Sequence, residues 1–134
     1  TADAAADFIL GQTDFQTGSE FPYGPQSADG MRFPYAIDTL AAVDEACSVM
    51  ALADTANNRV LVWDGVPEHS NVPADRVLGQ TDFAGNGENR WDVVGDDTFC
   101  WPYGLCLDRT PGGDVRLAVA DSGNNRVMIW SLGG

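Results

Sequence analysis

The chain is written twice. Ala6 to Phe15 reads ADFILGQTDF and Ala74 to Phe83 reads ADRVLGQTDF, with eight of ten positions identical at an offset of 68. Phe33-Pro34-Tyr35-Ala36-Ile37 returns as Trp101-Pro102-Tyr103-Gly104-Leu105, again at an offset of 68. Asp54-Thr55-Ala56-Asn57-Asn58-Arg59-Val60 returns as Asp121-Ser122-Gly123-Asn124-Asn125-Arg126-Val127 at an offset of 67. Twice 67 is 134, the length of the chain. A fixed period of this kind means one supersecondary unit, repeated, that buries its apolar surface on its neighbour.

Each unit reads as β. Residues 49–54 and 59–64 are short runs rich in β-branched and aromatic residues around an Asn-Asn turn, the pattern of a hairpin; 116–121 and 126–131 repeat it. Residues 33–40 and 102–108 add a strand opened by proline, and 7–12 and 75–80 add a fourth closed by Gly-Gln. No convincing helical period is present, and Ala2 to Ala6 is too short to stand as a helix. Four short antiparallel strands at a fixed period predict β-propeller blades, two blades per chain.

The D-[TS]-x-N-N-R-V-x-x-W stretches, the F/W-P-Y-[AG]-[IL] strand before them and the intervening L-G-Q-T-D-F resemble NHL repeats of the bacterial "LGQ-DF" kind. The resemblance covers both repeats, with an unusually long period and only two copies. It implies a propeller, usually six-bladed, that binds proteins, RNA or small ligands; some relatives are lyases or hydrolases. With the strands labelled a to d from inside out, the order is d, a, b, c, d, a, b, c. Residues 33–80 form one complete blade. The first d strand lacks a blade before it, and the last a–b–c lacks a d strand after it. Two blades cannot close on themselves, and alone they leave an open edge and two uncovered faces. The expectation is a ring of identical chains, residues 7–12 of one completing 126–131 of the next. Three chains give six blades; a tetramer of eight blades is second, and a shortened piece of a longer propeller third. The absence of a methionine at Thr1 reads as processing or excision.

Composition narrows the partners. Twenty acidic residues stand against seven basic ones, all arginine, for a formal net charge of −13. Such a surface repels phosphate, so nucleic acid and anionic membranes are expected not to bind, although relatives in the resembled family bind RNA. No apolar run is long enough to span a bilayer, and 44% hydrophobic content predicts a soluble, folded chain, extracytoplasmic and secreted locations included. Cys47, Cys100 and Cys106 are an odd number without zinc-ligand spacing, and an extended strand would hold Cys100 and Cys106 roughly 20 Å apart, so free thiols are expected. Calcium-loop, HExxH, GxSxG and phosphate-loop patterns are absent. No catalytic residue and no metal ligand is assigned.

Candidate residues fall into two groups. Asp54, Asn57 and Arg59, with Asp121, Asn124 and Arg126, occupy the b–c turns. There Asp can accept from turn amides, Asn tolerates the left-handed corner and Arg pairs with Asp, so their expected role is structural. The d–a connections, 16–32 and 84–100, are long and have diverged, which makes them the candidate ligand sites. The first offers Phe21, Tyr23, Asp29 and Arg32; the second offers Glu88, Arg90, Trp91, Asp92, Asp96 and Asp97. Aromatics beside carboxylates suit a small polar or cationic ligand or a peptide, and Trp91 and Phe21 can equally staple the loops down. Glu45 and Glu88 form no paired-carboxylate geometry, and His69 falls in the c–d connection away from the axis. Between repeats Asp38 becomes Cys106 and Arg32 becomes Cys100. The expected function is a non-catalytic binding scaffold; the alternative is a lactonase- or lyase-type propeller enzyme with a divalent cation in the central channel.

Overall fold

Seven antiparallel strands in two sheets make up the computed structural model, which describes residues 4–19, 26–44 and 47–133. β1 (Pro34–Leu40), β2 (Val49–Asp54), β3 (Arg59–Trp63) and β4 (Arg76–Leu78) form the first sheet in that order. β5 (Pro102–Arg109), β6 (Val115–Asp121) and β7 (Arg126–Gly133) form the second. The second sheet stops one strand short of the first. In the repeat, the counterparts of Arg76–Leu78 are residues 8–10. Residues 7–12 were expected to be a strand, yet within one chain they are not; Gly11 makes only an isolated parallel bridge to Gly30.

The b–c hairpins turn through a single 3-10 turn, Thr55–Asn57 or Ser122–Asn124, and then a left-handed residue. That residue is the second asparagine, Asn58 (φ 52°) or Asn125 (φ 56°), not the first as the sequence reading had it. The first asparagine is instead committed to a side-chain network. At the Gly-Gln corners the backbone needs glycine: Gly79 has φ +93° and a Cβ there would stand 2.3 Å from the Phe99 ring.

Alternation along the strands gives each sheet two faces. In the first sheet Met50, Leu52, Leu61 and Trp63 form one, here called leading, and pack with Ala74, Leu10 and Met31. Val49, Ala51, Val60 and Val62 form the other, trailing face. The trailing face of the first sheet packs on the leading face of the second, through Leu117, Val119, Met128 and Trp130, with Phe99 buried between them. Polar bonds stitch this junction: Thr55 Oγ1 donates to Pro102 O (2.6 Å), Trp101 N to Asn58 Oδ1 (2.8 Å) and Leu107 N to Asp38 Oδ2 (2.7 Å). The two outermost faces remain open. Val127 and Ile129 on the second sheet's trailing face are 67% and 70% exposed, and Phe33, Tyr35 and Ile37 beside the first sheet's leading face are exposed too.

Candidate functional site

Asp54 is the hub of the first b–c turn. Its Oδ1 accepts from Arg32 N (2.7 Å), and its Oδ2 accepts from Asn57 Nδ2 (2.9 Å) and Arg59 Nε (2.7 Å). The Arg59 guanidinium, fully buried, also donates to Phe83 O, Ser27 O and Gly30 O. Each guanidinium nitrogen thus donates to a carbonyl or the carboxylate, which is what makes a buried charge tolerable. The second turn repeats this: Asp121 accepts from Cys100 N, Asn124 Nδ2 and Arg126 Nε, and Arg126 reaches Gly95 O and Thr98 O. These six residues hold the d–a loops onto the b–c turns. The aspartates accept from a loop amide and two side chains, whereas the sequence reading had them accepting from turn amides.

Two positions of the second network have no counterpart partner. Asn58 donates to Asn86 O and accepts from Trp101 N, while Asn125 makes no side-chain hydrogen bond among the described residues. Arg59 spends Nη1 on Phe83 O, while Arg126, with a side chain 27% exposed, leaves its Nη1 without an acceptor. By the repeat, the acceptor for Arg126 would be the Phe15 carbonyl, and the donor to Asn125 would be the Phe33 amide. In this chain Phe15 lies in the N-terminal segment and Phe33 just before β1, away from the second b–c turn in sequence.

The d–a loops share more than their sequences indicate. Ser27 and Gly30 in one, and Gly95 and Thr98 in the other, offer their carbonyls to the two turn arginines at equivalent positions. Arg90 does not face outward. Its Nε donates to Gly79 O (3.3 Å), Nη1 to Asp97 Oδ2 (2.9 Å) and Nη2 to Asp97 O (2.8 Å). Asn89, Arg90 and Trp91 all have positive φ, held by Asn89 N donating to Phe99 O and by Asn89 exchanging side-chain bonds with Asn124. The Trp91 ring lies against Gly87 yet is 79% exposed, so it is not a buried staple. Asp92 and Asp96 are exposed as well. Tyr23 and Phe21 lie outside the described residues. Arg32 is brought to the turn by its backbone, on Asp54.

Along the inner strands an aromatic row was not foreseen. Tyr35 and Tyr103 meet edge to face at 4.7 Å, Phe33 and Trp101 flank them, and Trp101 Nε1 donates to Glu88 Oε1 (2.9 Å). The signal was the pair of F/W-P-Y strand starts. Cys47, Cys100 and Cys106 are free thiols; burial pushes the Cys100 thiol up, with Glu88 and Asp121 adding to it. His69 is exposed in the β3–β4 connection.

Among the described residues no group of three or more His, Cys, Asp or Glu side chains could hold a metal ion, and no helix is long and apolar enough to cross a membrane. A cavity of about 310 Å³ lies between the N-terminal segment and the first d–a loop, lined by Gly11, Gln12, Ser27, Asp29 and Asn71 among others. No protein-family model, curated protein or solved structure matches the chain.

Proposed function

We propose that the chain is a non-catalytic, NHL-like propeller scaffold, three copies of which close into a six-bladed ring that binds a peptide or small ligand on its d–a loop face. The observation that carries this is the pairing of its two open ends. The exposed trailing face of the second sheet carries Ala118, Val127 and Ile129 where the buried one of the first carries Ala51, Val60 and Val62. At the rim the substitutions are matched in kind. The internal junction sets Val49 and Leu40 against Leu107 and Val115. The open trailing face has Arg116 and Asp108 in those places, paired at 3.2 Å, and the open leading face has Thr39 and Ser48. A second copy docked head to tail therefore meets apolar with apolar and polar with polar.

The same docking completes every unfinished group. Residues 8–10 add the fourth strand to β7, Phe15 O accepts from Arg126 Nη1, Phe33 N donates to Asn125, and Gln12 reaches Asn125 O as Gln80 reaches Asn58 O. Head-to-tail contacts either close a ring or run on as a filament, and the usual blade number of the resembled family favours three chains. Light scattering tests this: a particle near three times the 14.3 kDa chain mass is expected, and a stable monomer in dilute buffer overturns it.

A further inference from the structure

The second repeat fills its own loop with Arg90; the first carries no arginine at the corresponding position. Arg90 lies between Gly79 O and Asp97, gripping both the carboxylate and the carbonyl of that residue. At the offset of 68 these positions are Gly11 and Asp29, and the residue at the Arg90 position is Pro22. The stretch 20–25 contains no lysine or arginine. Gly11 and Asp29 both line the cavity of about 310 Å³. The carbonyls beside them are placed alike in the two loops, Ser27 O and Gly30 O serving Arg59 as Gly95 O and Thr98 O serve Arg126, although Gly11 also bridges to Gly30 in the first. Asp29 is also pre-oriented, because Ser27 Oγ donates to its Oδ1 (2.7 Å) and leaves Oδ2 for another donor. Asn71, whose buried Oδ1 has no hydrogen-bond partner among the described residues, belongs to the same lining.

We infer that this cavity is a guanidinium site, and that its ligand is an arginine side chain presented by a peptide. The guanidinium takes the place that Arg90 occupies in the other repeat, with charge-assisted bonds to Asp29 Oδ2 and its carbonyl and a third to Gly11 O. A planar fork with five donors suits this set of acceptors, whereas an ammonium satisfies them one at a time. The net charge of −13 attracts a cationic peptide and repels the carboxylate of free arginine. The inference deepens the reading of a loop-face binding scaffold, although every residue lining the cavity belongs to one chain.

The test is calorimetric titration of the full chain with N-acetyl-L-arginine amide, beside the lysine and citrulline equivalents and free L-arginine. The arginine amide is expected to bind tightest, with Asp29→Asn weakening it by about tenfold or more through loss of a charge-assisted pair. Arg90→Ala is expected to open the equivalent site at Gly79 and Asp97 and to double the stoichiometry. Citrulline binding as well as arginine, an unaltered affinity in Asp29→Asn, or no saturable binding overturns the inference. Tighter binding of free L-arginine overturns the peptide source. Solution mass measured on the same samples separates the two proposals: a ring that binds no arginine amide loses only the pocket, and a monomer that binds it loses only the ring.

Discussion

The buried carboxylate and the buried guanidinium at the first b–c turn tolerate each other because Asp54 accepts three hydrogen bonds and each guanidinium nitrogen of Arg59 donates to that carboxylate or to a carbonyl. Asp54 and Arg59 are both fully buried, and removing one strands the other. Asp54→Ala is expected to cost about 3–5 kcal/mol in urea unfolding, the penalty for an uncompensated buried charge. Asp121→Ala should cost less in a single chain, because Arg126 keeps 27% of its side chain in water; closure with a second copy should bring the two costs together. Gly79→Ala adds left-handed strain of about 1–3 kcal/mol to a clash with the Phe99 ring, whereas at Gly11 the nearest atom is the flexible Met31 thioether. Gly79→Ala is therefore expected to show the larger fall in urea midpoint. Thiol chemistry gives a third check: alkylation under mildly alkaline conditions should reach exposed Cys47 well before Cys100, whose pKa burial raises. The hub role of Asp54 and Arg59 was legible from their recurrence with Asp121 and Arg126. Which asparagine takes the left-handed corner was not, since either can adopt it and only the competing bond from Asn57 to Asp54 decides.

The strands themselves were legible almost to the residue, because two copies of one pattern locate each strand twice. The N-terminal segment is the exception. Its sequence is that of β4, but a strand forms only beside a partner, and its counterpart partner β7 lies at the other end of the chain. β7 thus presents eight residues, Arg126–Gly133, as an open edge with Val127 and Ile129 exposed. In the proposed ring residues 8–10 complete a neighbour's sheet, so deleting residues 1–13 is expected to reduce the assembly to single chains, read by solution mass. Cys106 faces outward on the same open sheet face. Its alkylation should be slow in the assembly and become as fast as that of Cys47 once residues 1–13 are gone; equal rates in both forms would place the interface elsewhere. The loop chemistry was hidden for a different reason. The two d–a loops keep a common backbone through carbonyl acceptors at Ser27, Gly30, Gly95 and Thr98, and a carbonyl carries no residue identity. In sequence only Glu20 with Glu88 and Asp29 with Asp97 mark the correspondence, two matched acids in otherwise unlike segments.

Charge acts on the molecule as a whole. Among the described residues Arg59, Arg76, Arg90, Arg116 and Arg126 form ion pairs with Asp54, Asp64, Asp97, Asp108 and Asp121, and the other described acids have no positive partner at salt-bridge distance, against a net charge of −13. A ring of three multiplies the net charge of −13 by three within one particle, and self-repulsion on that scale opposes both compaction and closure. Added salt shortens the screening length from about 10 Å at 0.1 M to about 3 Å at 1 M, which weakens repulsion between exposed carboxylates several residues apart. The pairs that hold the fold lose little by the same change: Asp54–Arg59 is fully buried, and Asp121 is buried beneath Arg126. The exposed pairs, Arg76–Asp64, Arg90–Asp97 and Arg116–Asp108, are each worth at most about 1 kcal/mol and lose part of that. Net repulsion outweighs them, so the melting temperature is expected to rise between 0.1 M and 1 M sodium chloride. The rise should be steeper for the full chain than for one lacking residues 1–13, because only the former brings three acidic surfaces together. A fall would show that the attractive pairs dominate instead. In that case neutralising the partner arginines, Arg76→Gln and Arg116→Gln, should remove the salt dependence; if repulsion rules, those variants should steepen the rise.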